Sequence, residues 1–498
     1  MSTTDERPAA ERTLPLDPTL PSDQEYALGR AINGLREDDP LCSASVPVTG
    51  WQRAVLWSLL VIVIGCAVWQ PLNTAVVLIG LCTAGYLVTM LDRVLIFRQG
   101  LASRAIVISE ERARAIPDDE LPPYTILVPA YNEPEVVGDL IGAMANLTYP
   151  RDKLQVLLLL EADDDVTIAA AKDCADSDAI TILLVPPADP RTKPKACNYG
   201  LYFSTGEIVT IFDAEDLPEP LQLRRVVAAF NDLGPEVACV QAKLVYHNGH
   251  QNILTGWFTA EYGLWFGYLL PGMMGSSSPI PLGGTSNHLR RHVLDEIGAW
   301  DPFNVTEDAD LGLRIAANGY RTAVIDSQTL EEANSDPINW VRQRSRWYKG
   351  YLQTWLVQIR RPIKLYRTIG MRSFVRFCLV LAGTPIIAVL NLVFWFITLV
   401  WFLGQPAVVE DVFPMYIYFP ALIALVIGNA ATVYMNLIAL REDDRSDLLL
   451  AAMTVPVFWV MMSVAAAKGC YQMIRNPSYW EKTFHGLADK PAEAEGES

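Results

Sequence analysis

Four long windows without a charged residue constrain this chain more than any other feature. They cover residues 54–91, 377–409, 412–440 and 448–467. About 20 apolar residues in a helix cross the hydrocarbon core of a bilayer. The first window is interrupted by the polar stretch QPLNT at 70–74, so it predicts two transmembrane helices within 51–98. The others predict three or four more within 375–470, which gives five or six spans.

The part of the chain between these windows has a different character. Residues 99–350 carry charges throughout and contain no stretch that could span a membrane, which predicts a large aqueous domain. Residues 1–50 are acidic, contain proline and lack the apolar stretch of a signal peptide, so we expect a mobile tail or a small appendage. The net charge of -17 argues against a nucleic-acid partner.

The distribution of basic residues predicts the orientation of the aqueous domain. Arg93, Arg98 and Arg104 follow the second span, whereas loop 404–415 carries only Glu410 and Asp411. Basic residues collect on the cytoplasmic side. We therefore expect a multi-pass protein of the cell (inner) membrane with residues 99–350 in the cytoplasm. The side on which the tail 471–498 lies stays open.

Short apolar runs alternate with helical patterns in the aqueous domain. The runs are TILVP (125–129), QVLLLL (155–160), ITILLV (180–185), EIVTIF (207–212) and EVACVQAKLV (236–245). Continuous apolar runs of this length are typical of strands buried on both faces of a sheet. With helices between them, they predict a doubly wound, mostly parallel α/β sheet, inserted between the transmembrane segments.

Acidic residues follow three of these predicted strands, in AYNEP (130–134), EADDD (161–165) and DAED (213–216). Ligands of such sheets bind beyond the carboxyl ends of the strands. Acids gathered there repel one another unless a cation lies between them, and a divalent metal with a phosphorylated ligand would supply it. The alternative is that each acid caps the helix that follows. Three acidic ends at one edge favour a site.

Five motifs, in this order, resemble family 2 glycosyltransferases of the cellulose, chitin and hyaluronan synthase type, the bacterial membrane-integrated processive group. They are VPAYNEP, TKPKACNYGL (192–201), DAED, TED (306–308) and QRSRW (343–347). The resemblance implies a GT-A fold and a nucleotide-sugar donor, usually UDP-linked. The end of the chain, NPSYWEKTFHG (476–486), is also similar to that of bacterial members.

The resemblance also implies roles for residues on the donor side. Tyr131 and Glu133 would lie near the base, and Glu161 or Asp163 would take the place of an aspartate that also holds it. Lys195 would approach the diphosphate. Asp213 would bind Mg²⁺ or Mn²⁺ together with Glu215, while Asp216 competes for that second place.

On the acceptor side, Asp308 matches the family's catalytic base. A sugar hydroxyl has a pKa far above 7, so a positioned carboxylate must accept its proton. Thr306 is a candidate helix cap, with Glu307 beside the base. Gly283 and Gly284 would permit close approach of the acceptor. His288 could serve the acceptor, although a lone histidine is more often structural.

The basic stretch VRQRSRWYKG (341–350) contains the last motif. On a helix, Gln343, Arg346 and Trp347 share one face, where the arginine can contact phosphate and the tryptophan can stack on a sugar. Arg342, Arg344 and Lys349 fall on other faces and predict contact with anionic lipid headgroups. Residues 351–374 mix Trp and Leu with basic residues, as an amphipathic interfacial segment does.

These features favour an inverting glycosyltransferase that extends a β-linked polysaccharide and passes it through its own spans. One alternative is transfer of a single sugar to a lipid acceptor, which would give a glycolipid. The other is a catalytically silent membrane subunit for export or assembly. The expected partners are a nucleotide sugar, a polysaccharide or glycolipid acceptor and the bilayer.

Overall fold

The computed structural model describes residues 14–135, 137–174, 180–477 and 479–481. They form one eight-stranded sheet in the order β3-β2-β1-β4-β7-β6-β8-β5. The strands are β1 (Tyr124–Ala130), β2 (Leu154–Glu161), β3 (Thr181–Val185), β4 (Ile208–Ile211), β5 (Leu217–Pro218), β6 (Val237–Tyr246), β7 (Asn287–Arg290) and β8 (Arg321–Glu331).

The sheet is mixed rather than wholly parallel. Strand β7 runs antiparallel to both β4 and β6, and β5 runs antiparallel to β8. The other neighbouring pairs are parallel. The predicted α/β fold is thus confirmed, and the five predicted runs coincide with β1, β2, β3, β4 and β6. The short strands β5 and β7 lack a long apolar run that would have revealed them.

Helices cover the sheet and build the membrane part. In chain order they are α1 (Pro21–Asp38), α2 (Gly50–Trp69), α3 (Pro71–Ala102), α4 (Glu110–Arg114), α5 (Val137–Ala145), α6 (Asp165–Cys174), α7 (Lys193–Leu201), α8 (Gln222–Asp232), α9 (Ile253–Leu264), α10 (Leu270–Gly275), α11 (Arg291–Glu296), α12 (Glu307–Ala317), α13 (Pro337–Gln358), α14 (Pro362–Cys378), α15 (Thr384–Gly404), α16 (Ala407–Val412), α17 (Met415–Ile423), α18 (Asn429–Glu442) and α19 (Leu449–Arg475).

Both faces of the sheet are buried, as the continuous apolar runs predict. Alternate residues of a strand point to opposite faces. Leu127, Leu157 and Leu159 enter one apolar core, which also includes residues of α1 and α7. Ile126 and Leu158 enter the other, which includes residues of α5 and α8. This two-sided burial fixes the strand register, so the ends of β1, β2 and β4 lie side by side at one edge.

Five helical stretches of the described residues are long and apolar enough to cross a membrane. They are Gly50–Trp69, Pro71–Ala102, Pro362–Gly404, Met415–Glu442 and Ser446–Arg475. The third stretch is 43 residues long and contains a break at Gly370, where φ is 79°. This left-handed conformation strains residues with a β-carbon, which explains the glycine. The break separates residues 362–369 from the part that can span the bilayer.

The described part of the N-terminal segment packs against the aqueous domain. Helix α1 buries Ala27, Ala31 and Leu35, and the side-chain amide of Asn198 on α7 donates a hydrogen bond to the carbonyl of Ala31 at 3.1 Å. After the helix, the carboxylate of Asp39 forms a bidentate ion pair with the guanidinium of Arg361, at 2.8 and 2.9 Å. Residues 14–49 therefore form a docked appendage, whereas residues 1–13 lie outside the described residues.

Candidate active site

The candidate site lies where three parallel strands end. In the sheet, β1 lies between β2 and β4, with Ala130 opposite Leu160 and Leu127 opposite Ile211. The residues just beyond these ends therefore face one cleft. Tyr131, Glu133, Glu161, Asp213 and Glu215 all line it. The structure therefore brings together the acidic residues predicted at this edge, apart from Asp163.

Asp163 lies on the rim of the cleft rather than in its lining. Its carboxylate accepts a hydrogen bond from the guanidinium of Arg191 at 2.6 Å. This ion pair, together with a contact to Tyr131, raises the pKa of Arg191. Tyr131 is 42% exposed, so its ring is open to solvent at the mouth of the cleft. Tyr131, Arg191 and Asp163 thus form one group where the cleft opens.

Glu161 and Lys195, which were predicted separately to contact the base and the diphosphate, are buried and paired with each other. The ammonium of Lys195 lies 2.7 Å from Oε1 of Glu161 and also donates to the carbonyl of Ala188 at 3.2 Å. Burial raises the pKa of Glu161 more than the ion pair lowers it. Lys195 is fully buried and does not line the cleft. It braces the strand end instead of pointing at a ligand.

Lys193, two residues earlier, is the cation that faces the cleft. Its ammonium is ion-paired with the carboxylate of Asp213 and donates a hydrogen bond to the carbonyl of Gly284 at 2.8 Å. Burial lowers the pKa of Lys193, but Asp213 and then Glu307 outweigh this and raise it. Sequence reasoning missed this residue, although it lies in the same TKPKACN motif.

Asp216 holds the acidic loop in place rather than facing the cleft. Its carboxylate accepts hydrogen bonds from the backbone N–H of Asp213 at 2.6 Å and from the hydroxyl of Thr285. Burial, and then the charge of Asp213, raises its pKa well above the ordinary value. Glu215 lines the cleft and Asp216 does not, which favours Glu215 as the second acid.

The acids here fit a divalent cation that shares oxygen ligands with a substrate. Glu331, at the end of β8, also lines the cleft, and burial followed by the charges of Asp216, Asp213 and Glu215 raises its pKa. No group of three His, Cys, Asp or Glu side chains converges on one point among the described residues. Magnesium commonly uses one or two carboxylates and completes its shell with phosphate oxygens and water. Asp213 and Glu215 could hold such an ion.

Glu307 and Asp308, the first residues of α12, also line the cleft. Burial raises the pKa of both carboxyls, and Asp308 helps to raise that of Glu307 to about 8. The backbone N–H of Ala309 donates to Asp308 at 2.7 Å. A β-carbon placed on Gly284 would lie 3.5 Å from the Asp308 carboxylate and 4.0 Å from the Lys193 ammonium. Asp308, Gly284 and Lys193 are therefore immediate neighbours.

The predicted position of Thr306 at the start of α12 is confirmed, but its predicted role as a side-chain cap is wrong. Thr306 occupies the position before α12, but its side chain makes no capping hydrogen bond. It packs instead against α13, where its hydroxyl lies 3.5 Å from that of Thr354. A β-carbon on Gly350 would come within 2.4 Å of the Thr306 side chain. This close approach fixes the start of α12, and with it Asp308, relative to α13.

Helix α13 presents Gln343, Arg346 and Trp347 to the cavity, as their spacing predicts. Burial lowers the pKa of Arg346, while Glu307, Asp308 and Asp213 oppose that change, so the guanidinium faces the acids of the site. The amide oxygen of Gln343 is buried without a hydrogen-bond partner in the described residues. The ring of Trp347 stacks near that of Tyr262, with centroids 6.4 Å apart.

The predicted lipid contacts of Arg344 and Lys349 are wrong. Arg344 is buried and forms a bidentate ion pair with Glu261 on α9, at 3.1 and 2.5 Å. Its guanidinium also lies 4.5 Å from the centre of the Trp347 ring. Lys349 is fully buried and donates a hydrogen bond to the carbonyl of Tyr479 at 2.5 Å. Their partners come from distant segments, which the local basic pattern could not reveal.

The segment after α19 contributes a further cavity residue. The ring of Trp480 lies 4.6 Å from the guanidinium of Arg346 and lines the cavity. The neighbouring Glu481 accepts hydrogen bonds from Lys468 at 2.7 Å and Gln472 at 2.9 Å, which hold the segment on α19. The described part of the NPSYWEKTFHG motif thus covers the QRSRW helix. Residues 482–486 lie outside the described residues.

His288 is structural. It is fully buried in β7, its Nδ1 lies 2.6 Å from the hydroxyl of Tyr124, and burial lowers its pKa to about 3. It therefore stays neutral at physiological pH and does not reach the cleft.

One cavity of about 1300 Å³ joins the cleft to the membrane helices. At one end lie Asp213, Lys193 and Asp308. At the other, its walls come from α3, α15, α17, α18 and α19, with aromatic residues that include Tyr86, Phe394, Trp395, Trp401 and Tyr418. Small-ligand pockets typically enclose about 300 to 1,000 Å³. The volume is larger than one sugar nucleotide site requires.

Comparisons with known proteins find glycosyltransferases among the relatives of this chain. Residues 122–350 match the family model described as "Glycosyltransferase like family 2". The chain is 28% identical over 236 residues to "Probable glycosyltransferase YdaM" of Bacillus subtilis, with 46% of this chain and 56% of the relative covered. It is 28% identical over 262 residues to "Beta-monoglucosyldiacylglycerol synthase" of Trichormus variabilis, covering 51% of this chain and 55% of the relative.

A plant relative and a solved structure extend the comparison. The chain is 29% identical over 249 residues to "Probable glucomannan 4-beta-mannosyltransferase 7" of Oryza sativa subsp. japonica, covering 48% of this chain and 42% of the relative. The structure of mannosyltransferase PcManGT from Pyrobaculum calidifontis, in complex with GDP-Man and Mn²⁺, matches with TM-score 0.49 at 20% identity, over 81% of this chain and 99% of that one.

The chain spans about half the length of the curated relatives it matches. The family match begins two residues before β1 and ends within α13, so it contains every strand of the sheet and all of the predicted site residues. Residues 122–350 are therefore similar to the glycosyltransferases that this family model describes.

Proposed function

We propose that the chain is a membrane-integrated, inverting glycosyltransferase of the processive type, which transfers a sugar from a UDP-linked donor to a growing β-linked polysaccharide. The observation that carries this proposal is the single cavity that connects Asp213, Lys193 and Asp308 with the interior of the membrane helices. A polymer extended at Asp308 could pass directly into the spans. The aqueous domain would then face the cytoplasm, where nucleotide sugars are made.

The donor's diphosphate would lie against Asp213, Lys193 and Arg346. Mg²⁺ or Mn²⁺, held by Asp213 and Glu215 with diphosphate oxygens, would neutralise charge on the leaving group. Lys193 and Arg346 would also stabilise the negative charge of the diphosphate, because a buried positive charge stabilises an anion strongly where water is excluded. Tyr131 and Glu133, at the mouth of the cleft, would contact the base.

The chain's own residues provide the acid–base step. Asp308 accepts the proton of the acceptor hydroxyl while that oxygen forms a bond to the anomeric carbon. The bond from the same carbon to the diphosphate oxygen breaks, and the nucleoside diphosphate leaves with that electron pair. Attack opposite the leaving group inverts the anomeric centre. Glu307, with its raised pKa, stays protonated at neutral pH and adds no negative charge beside the base.

Trp347 would hold the terminal sugar of the acceptor. Its ring lines the cavity between the acids of the cleft and the aromatic residues of the spans. Arg344 and Tyr262 fix the ring, since the guanidinium lies 4.5 Å from its centre and the phenol ring stacks near it. A flat aromatic surface suits the C–H face of a pyranose.

Transfer of one sugar to a lipid acceptor is the second candidate. The walls contributed by the spans are largely apolar, with Leu379, Val380, Ile387, Leu422 and Leu425 among them, and they suit acyl chains as well as a polymer. The two candidates predict different products. A polysaccharide synthase releases long chains of variable length, whereas a lipid glycosyltransferase gives a glycolipid of fixed size.

An assay of purified protein with UDP-glucose, UDP-galactose, UDP-N-acetylglucosamine and GDP-mannose tests the proposal. We expect release of the nucleoside diphosphate with at least one donor, and a loss of about a thousandfold in Asp308→Asn, because general base catalysis contributes roughly 10² to 10⁴. Asp326→Asn, an exposed acid on β8, is the matched control and should keep full activity.

Two results would contradict the proposal. If Asp308→Asn transferred sugar as fast as the parent, Asp308 would not be the base. If no nucleotide sugar were consumed under any condition, the chain would fit a silent membrane subunit instead. Size-exclusion chromatography and lipid extraction of the labelled product separate the polymer from the glycolipid.

A further inference from the structure

One charged residue in the membrane half of the cavity is not used by the proposed chemistry. Tyr86, Thr89, Met90, Arg93 and Ile96 of α3 all line the cavity. Their spacing of three and four residues places them on one helix face. Arg93 therefore points inward with that face, whereas Arg98 on the same helix is exposed.

The acids nearest to Arg93 already have other partners. Asp92, the preceding residue, pairs with Arg376 at 3.1 Å. Glu261, which lies within electrostatic reach of Arg93, is bound by both terminal nitrogens of Arg344. Within the described residues Arg93 makes no ion pair, and its Nε is buried without a hydrogen-bond partner. One positive charge is thus left over in this part of the cavity.

A leftover charge in this position is costly without a ligand. An ion taken out of water carries a penalty of several kcal/mol unless an opposite charge and hydrogen bonds offset it. Long basic side chains at helix ends usually avoid the penalty by reaching the headgroups, as the exposed Arg98 can. Arg93 is turned into the cavity instead, so an anion inside the cavity is the partner that this geometry calls for.

The surroundings of Arg93 indicate what carries the anion. Arg93 follows the uncharged window 54–91 by two residues, so it lies at the end of the second span, near headgroup depth. Beyond it, the cavity wall is apolar and aromatic, with Leu379, Val380, Phe394 and Trp395. A planar guanidinium binds phosphate with two hydrogen bonds. A phosphate attached to apolar chains matches both parts of this environment.

We propose that Arg93 forms an anion-binding subsite that takes the phosphate of a membrane lipid, whose acyl chains lie along the span-lined wall of the cavity. The subsite rests on the proposed function only in placing this lipid on the acceptor side. It is separate from the diphosphate site, which lies at Lys193 and Asp213. The bound lipid would be positioned toward Trp347, either as acceptor or as the anchor of one.

Native mass spectrometry tests the subsite without relying on activity. The full-length protein is purified in dodecyl maltoside, which contains no phosphate, and is offered dioleoyl phosphatidic acid or dioleoylglycerol with the same chains. We expect one tightly retained phosphatidic acid, and about tenfold less retention in Arg93→Gln. Arg93→Lys should recover part of the binding, and Arg98→Gln, the exposed control, should retain the lipid as the parent does.

The outcomes separate the possible explanations. Equal retention by Arg93→Gln and the parent would overturn the proposal, as would equal loss in Arg93→Gln and Arg98→Gln, which would indicate unspecific attraction of headgroups. Displacement of the lipid by millimolar inorganic phosphate would assign the subsite to free phosphate instead. Lipid retention is also measured in Asp308→Asn, which lacks the proposed base. Because retention does not require sugar transfer, failure of the glycosyltransferase assay would not change this result.

Discussion

The cavity has two halves that differ in how their charged residues are arranged: a donor half at the sheet edge and a membrane half between the spans. In the donor half, cations and acids are paired with each other, as in Lys193 with Asp213 and Lys195 with Glu161. Further acids line this half, including Glu215, Glu307 and Glu331. In the membrane half, the charged lining residues include Asp92 and Arg93 of α3 and Glu410 of α16, and the described spans contribute mostly apolar, aromatic or neutral polar residues.

This difference indicates what each half binds. Acids gathered at a sheet edge suit a metal ion and a diphosphate, which bring positive and negative charge together. An aromatic and apolar wall suits the carbon faces of sugars or acyl chains. Helix α13 joins the two halves, since Arg346 faces the acids and Trp347 faces the wall. In the proposed reaction, its placement would couple donor binding to acceptor binding.

Breaking the ion pair between Arg344 of α13 and Glu261 of α9, where the two halves of the cavity meet, should have the largest effect on stability. Arg344→Ala leaves Glu261 partly buried without its partner, and loss of one member of a buried pair costs about 3 to 5 kcal/mol. We expect a clear fall in the thermal unfolding midpoint in detergent. Arg114→Ala removes an exposed pair with Glu110 and should change it little. An unchanged midpoint in Arg344→Ala would show that the junction does not depend on this pair.

The two lysines of the TKPKACN motif should separate donor binding from stability. Lys193→Met removes the cation beside Asp213, and a charged hydrogen bond is worth about 1.5 to 3 kcal/mol, so UDP affinity should fall roughly ten- to hundredfold. Lys195→Met leaves Glu161 buried and unpaired, so it should lower the unfolding midpoint instead. Calorimetric titration and thermal denaturation measure the two effects. The reverse pattern would exchange the roles of the two residues.

The contact between α12 and α13 gives a smaller test of the same coupling. Gly350→Ala would force a methyl group against Thr306, and overpacking of this kind costs about 1 to 3 kcal/mol. Because Thr306 directly precedes Glu307 and Asp308, we expect turnover to fall about tenfold. Gly267→Ala, where a β-carbon meets nothing within 4 Å, is the matched control. Full activity in Gly350→Ala would mean that the base tolerates a shift of its helix.

Glu307 provides a test of the donor half that is visible in the pH dependence of stability. Its pKa of about 8 lies above the ordinary carboxyl value of about 4.3. Between these values the folded chain binds a proton that the unfolded chain does not. The associated stability is therefore complete below about pH 4 and is lost as the pH rises through 8. In Glu307→Gln this part of the decline between pH 5 and 8 should disappear, whereas Glu120→Gln, an exposed acid, should keep it.

The donor edge was predictable because its signals are local. Each apolar run predicts a strand. The acids directly after a run must lie at the edge of the sheet, and this does not depend on contacts with distant parts of the chain. Asp213 and Glu215 were found in this way, whereas Asp308 was predicted from the resemblance of the TED motif to the family. The choice between Lys193 and Lys195 was missed, since it depends on the rotation of α7 against the sheet, which helix α1 and Trp300 help to set.

The membrane half was less predictable for the opposite reason. Arg344 and Lys349 were expected at the lipid surface because their neighbours in sequence are basic and aromatic. Their actual partners, Glu261 and Tyr479, lie far away along the chain. Helix periodicity shows which residues share a face, but not which other helix covers that face. Arg93 could be placed at the end of a span from the sequence, yet not turned toward a cavity.

Binding of the nucleoside diphosphate tests the central claim most directly, namely that one sheet edge holds the donor through Asp213 and its neighbours. Calorimetric titration of the purified protein with UDP and with GDP, in Mn²⁺ and then in EDTA, provides the measurement. We predict saturable binding of at least one of them, weaker binding in EDTA, a loss of at least about tenfold in Asp213→Asn and no change in Trp347→Ala. Unchanged affinity in Asp213→Asn would contradict the account.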